Sequence, residues 1–111
     1  MPGIRRGDRV PILGELRGEI MVFEPLQVKE LSVGGATIET NFALPLNSLH
    51  DLRLTLDSNA VVVKARVVHS HVGEVDGETV RYRSGVEFIE PPVYIGAAIT
   101  AYLESLRGRS L

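Results

Sequence analysis

The feature that most constrains this chain is a strict period-two pattern in its middle. Leu52, Leu54 and Leu56 alternate with Asp51, Arg53 and Thr55, and His50 falls in phase with the leucines. Side chains two apart on a strand share a face, whereas a helix would scatter this set around its axis. Asp57-Ser58-Asn59 follows as a tight-turn tripeptide. Ala60 to Val72 then forms the longest apolar-rich run, dense in valine. A strand, a turn and a strand imply an antiparallel hairpin, and that pairing organises the rest of the reading.

Other segments add strands on each side. Val10, Ile12, Leu16, Ile20 and Val22 suggest a long first strand or hairpin arm, with Gly14 and Gly18 as bends. Leu26, Val28 and Leu31 mark a short second strand ending near Ser32. Gly34-Gly35 signals a turn. Ala36, Ile38 and Thr40 alternate with Thr37 and Glu39 as a third strand, and Pro45 and Asn47 mark a loop. Gly73 to Gly77 is expected to close the hairpin after Val72. Val80, Tyr82, Val86 and Phe88 form the last strand. Pro91-Pro92 ends the sheet, with Pro92 suited to the first turn of a helix. Beyond it Ile95, Ile99, Tyr102 and Leu106 share one helical face. The expected fold is mainly β: about six antiparallel strands in a small barrel, with a C-terminal helix over residues 92–107. The apolar helix face is expected to pack on the barrel, with a homodimer contact as the alternative.

Size and charge narrow the function. At 111 residues the chain makes one domain. Its net charge of −2 argues against a general DNA or RNA binder. It has no cysteine, hence no disulfide, thiol nucleophile or thiolate metal site. No apolar run reaches the roughly 18 residues of a membrane span, and the N-terminus carries charges where a signal peptide is apolar. A cytoplasmic protein without membrane insertion is expected. No nucleophile–base pair, phosphate loop or zinc-protease motif appears, so the chain is not expected to be an enzyme.

Three groups of residues stand out. The first is Arg5-x-x-x-Arg9, with Arg6 between, in a glycine-containing arm over residues 1–9 that precedes the domain at 10–111. The chain has ten arginines and two lysines (Lys29 and Lys64). Arginine offers a planar fork for phosphate oxygens or the edge of guanine. Two such forks on a flexible arm can close over an anionic ligand. The second group is Glu30-Leu31-Ser32-Val33-Gly34-Gly35. It puts a carboxylate and a hydroxyl on one side of a strand end, beside glycines that admit positive φ and close approach. The third is His69-Ser70-His71. With no cysteine and only His50 besides, it is read as the end of a core face in phase with Val67, and no metal site is expected.

In order and spacing, these motifs resemble the PilZ domain family. "RRGDRV" resembles its opening arm, "VKELSVGGATIE" its central motif, "AVVVKARVVHSHV" its long strand and "YRSGVEFIEPP" its last strand. The resemblance implies a six-stranded antiparallel barrel. It implies a bacterial receptor for the second messenger bis-(3′,5′)-cyclic dimeric GMP, bound as one or two molecules per chain, that couples to motility or biofilm formation through a downstream protein partner. Arg5 and Arg9 match the family's two arginines. Ser32 would contact phosphate or guanine through its hydroxyl, Gly35 would allow close approach and present a backbone N–H, and Gly34 is counted with them at the site.

Glu30 departs from the Asp or Asn usual in the family. A hydrogen bond missed because of the extra methylene costs on the order of 1–3 kcal/mol, roughly tenfold to hundredfold in affinity. Glu30 could also pair with Arg5 or Arg9 in the free protein. The departure keeps a second reading open, a degenerate adaptor that binds a protein without nucleotide.

Overall fold

A computed structural model describes residues 7–20 and 24–109. The elements are β1 (Val10–Pro11), β2 (Arg17–Ile20), β3 (Glu24–Ser32), β4 (Gly35–Thr40), β5 (Leu49–Leu56), β6 (Asn59–Asp76), β7 (Thr79–Phe88) and α1 (Val93–Arg109). All strand pairs are antiparallel. The sheet runs β1-β3-β2-β5-β6-β7-β4, and β4 also pairs with β3, so six strands close into a ring. Closure leaves the ring without a free edge along its length.

The alternation seen in the sequence sets the inside of the barrel. Leu52, Leu54 and Leu56 of β5 meet Val61, Val63, Ala65 and Val67 of β6 in a buried core, with Ala36 and Ile38 of β4. Ile95, Ile99, Tyr102 and Leu103 of α1 are buried in the same cluster. The helix face therefore packs on the barrel. Ile95 donates its N–H to Pro92 O at 3.0 Å, which places Pro92 just before the helix.

The expected first strand is broken. Its two pieces, β1 and β2, lie along the same edge of β3: Pro11 pairs with Glu30 and Arg17 with Gln27. Five residues of the first strand thus span two of β3, so the chain loops out around exposed Leu13 and Gly14. Gly14 belongs to that excursion, whereas Gly18 lies in regular pairing with Leu26 and Leu54. A Cβ at Gly18 would press on Arg53 O and Leu26 Cδ1, each 3.0 Å away.

Single extra residues re-aim the longer strands. In β3 the register shifts between Val28 and Glu30, leaving Lys29 as the bulged residue. Val28 and Leu31 both face the core, although they are three apart, and Glu30 and Ser32 turn to the outer side. In β6 the register shifts after Val67 and again after Val72. The first shift breaks the expected phase: His69 and His71 are exposed on the outer face rather than ending the core row. The second makes Gly73 a bulge inside the strand. The hairpin closes later, at Gly77 with φ +60°.

Candidate ligand-binding site

The β3–β4 hairpin carries the second group of residues. Ser32 pairs with Gly35 and Glu30 with Thr37. The two pairs are two residues apart on each strand, so they form neighbouring rows about 7 Å apart on the outer face.

Ser32 is fully buried. Its hydroxyl donates to Gly35 O and accepts from Gly35 N–H, both at 3.1 Å. It also accepts a hydrogen bond from Nη1 of Arg9. A serine hydroxyl has one donor and two acceptor sites, and all are engaged. Ser32 thus closes the turn and anchors the second arginine of the arm. Exposed Arg9 leads directly into β1, and the pairing of Val10 with Leu31 brings it beside Ser32.

Gly35 owes its place to crowding rather than to backbone conformation. Among the described glycines only Gly77 has positive φ, so Gly35 does not use the positive φ that a glycine admits. A Cβ there would collide with Val86 O and stand 2.9 Å from Nη2 and 3.1 Å from Nη1 of Arg9. The missing side chain is what lets the guanidinium lie against the strand. The Gly35 N–H expected to face a ligand is given to Ser32. Half-buried Gly34 accepts the N–H of Phe88 at 2.9 Å, tying the turn to the end of β7.

Glu30 is half-buried and accepts a hydrogen bond from Thr37 Oγ1 at 3.0 Å. Its hydrogen-bond partner is Thr37, and Arg9 turns to Ser32 rather than to the Glu30 carboxylate. Arg5 and Arg6 lie outside the described residues.

The outer row continues past residues that sequence reasoning missed. Gly85 of β7 pairs with Thr37 on one side and His69 on the other. A Cβ at Gly85 would run into the His69 imidazole, so the ring lies across the glycine. His69 and His71 stack with centroids 6.4 Å apart. The signal for Thr37 was its place opposite Glu30 across the Gly34-Gly35 turn. His69 stands out in the sequence by type, but its face does not, because the bulge at Val68 decides it.

One row further along β4, Glu39 pairs with Gln27 and with Arg83. Its carboxylate is 3% exposed and accepts from Arg81 Nη1 at 3.3 Å and Arg83 Nη2 at 3.2 Å. Burial pushes this carboxyl up, but the hydrogen bonds from Arg83 and Arg81 outweigh it and hold the group below its usual range. Glu39, Gln27 and Arg81 also line an open cavity of about 610 Å³ that does not include Arg9, Glu30, Ser32 or Gly35. At the far side of the barrel, burial pushes His50 down, and its Nε2 lies 2.7 Å from Ser48 Oγ.

What the outer face can do chemically follows from these groups. It presents an anchored guanidinium and a carboxylate in adjacent rows, beside two glycines, Gly34 and Gly35, that carry no side chain to block approach. Such a surface can hold a ligand with both anionic groups and hydrogen-bond donors. No helix among the described residues is long and apolar enough to cross a membrane.

Solved structures share this architecture. MrkH of K. pneumonia superposes with a TM-score of 0.76 at 19% identity, covering 96% of this chain and 50% of its own. The Bacillus subtilis inhibitor of motility, MotI/DgrA, gives 0.73 at 15% identity, covering 97% and 54%. The PilZ domain of Escherichia coli YcgR, solved with c-di-GMP, gives 0.73 at 15% identity, covering 96% and 93%. The chain thus spans about half the length of the first two. No curated protein matches its sequence. The PilZ domain model matches residues 4–105, nearly the whole chain, and its Arg9, Ser32 and Gly35 meet on one barrel face: the chain belongs to the PilZ domain family.

Proposed function

We propose that this chain is a receptor for cyclic di-GMP in the bacterial cytoplasm, and that it signals to a protein partner by a ligand-induced change of its N-terminal arm. The observation that carries the reading is the seating of Arg9 on Ser32 over Gly35. That contact puts a guanidinium of the arm on the barrel face that also carries Glu30. Arg9 has five N–H donors in a planar fork, and the bond to Ser32 uses one of them. The others are available to a phosphate or to guanine O6 and N7, and the guanidinium plane can stack on a purine. Arg5 would act in the same way from the arm, with Arg6 adding charge.

Glu30 would accept from the N1–H and N2–H₂ edge of guanine. A carboxylate has about four acceptor sites, so the bond from Thr37 leaves capacity for this. Ser32, Gly34 and Gly35 would act by holding Arg9 and keeping the turn low. The bound PilZ domain of YcgR, similar in fold over 96% of this chain, supports the ligand assignment. No catalytic step is involved. Titration of the chain with cyclic di-GMP, with GTP and cyclic di-AMP as controls, tests the reading: saturable binding of cyclic di-GMP alone, at one or two molecules per chain, supports it.

A second reading, an adaptor that binds protein without nucleotide, is favoured by one observation. The Ser32 hydroxyl is saturated within the protein. Under that reading Arg9→Ala leaves partner binding unchanged and no nucleotide binds.

A further inference from the structure

We propose that Thr37 is a positioning residue that sets where the Glu30 carboxylate meets the ligand, an inference that rests on the receptor reading above. Three observations place it. The bulge at Lys29 turns Glu30 to the outer face, directly opposite Thr37 on β4. Thr37 Oγ1 then donates to Glu30 Oε1 at 3.0 Å. On its other side Thr37 faces Gly85, whose missing side chain is replaced by the His69 ring.

The contact draws the Glu30 side chain along the sheet toward β4. A threonine is suited to this, because its branched Cβ restricts χ1 and so fixes the direction of the hydroxyl. The glutamate is longer than an aspartate by one carbon–carbon bond, about 1.5 Å, and the Thr37 hydroxyl fixes where that longer side chain ends. Thr37 and Glu30 thus form a unit: the hydroxyl takes up the extra methylene and returns the carboxylate to one defined place. Unheld, the longer side chain would sample several rotamers and lose orientation on binding.

The test is a double-mutant cycle read by calorimetric titration with cyclic di-GMP, with melting curves to verify that each variant is folded. Thr37→Val removes the hydroxyl at nearly constant shape and is expected to weaken binding about tenfold. Thr37→Ser keeps the hydroxyl and is expected to restore affinity to within about twofold of the parent chain. In a Glu30→Ala background, Thr37→Val is expected to change affinity by less than about twofold, because the carboxylate that it positions is gone. Equal losses from Thr37→Val in both backgrounds, or no loss in the parent, overturn the proposal while the receptor reading stands. No binding by the parent chain at all removes the receptor reading and this inference with it.

Discussion

Arg9 and Ser32, twenty-three residues apart in the chain, are joined by a hydrogen bond from guanidinium to hydroxyl. The bond ties the end of the arm to the barrel. A guanidinium already held in place loses less freedom when a ligand binds it. Ser32→Ala removes the acceptor for both Arg9 and the Gly35 N–H. It is expected to cost about 1–3 kcal/mol of stability by orphaning a buried donor, and to weaken cyclic di-GMP binding through the loss of Arg9's anchor. Denaturant melts and titration measure the two effects separately.

Gly35→Ala tests the crowding argument. The added methyl meets the Val86 carbonyl, which belongs to a paired strand and cannot rotate away. A cost of about 1–3 kcal/mol is expected, with Arg9 lifted from the strand and ligand binding lost. Gly77→Ala fails for a different reason, its positive φ, and is expected to leave ligand affinity unchanged.

Glu39 gives the barrel an acid-sensitive contact. Its carboxyl titrates below the usual value of 4.5 in the folded chain. The unfolded chain therefore takes up protons first as the pH falls. The stability this group contributes is complete above about pH 4.5 and is lost as the pH drops through its folded value. A plot of unfolding free energy against pH should fall in that acid window, and Glu39→Gln should flatten it there while lowering stability at neutral pH.

Ile99→Ala separates barrel packing from a dimer contact for the helix. Ile99 is fully buried within a single chain. The substitution is expected to cost about 2–5 kcal/mol, independent of protein concentration. A loss that appears only as the protein is diluted would instead mean a helix face shared between chains.

Much of the fold was legible because strand periodicity is a local property. Leu52, Leu54 and Leu56 declare their face without reference to the rest of the chain, as do Ile95 and Ile99 at helical spacing. The bulges were not legible in the same way, because one extra residue changes phase without changing composition. Val28 and Leu31, three apart and both buried, are the trace left by Lys29. Val68 left none, and so His69 and His71 were given the wrong face. The motif residues Glu30, Ser32 and Gly35 could be picked out by type and spacing. Their roles depended on contacts across strands: Thr37 reaching Glu30, Val86 crowding Gly35, and Arg9 returning to Ser32.

The central claim is that Arg9 and its platform form a cyclic di-GMP site. Calorimetric titration of the parent chain and of Arg9→Ala with cyclic di-GMP tests it most directly. The account predicts saturable binding to the parent at one or two molecules per chain, and a loss of at least about tenfold in the variant. Equal binding by both proteins, or no heat from either, would contradict it.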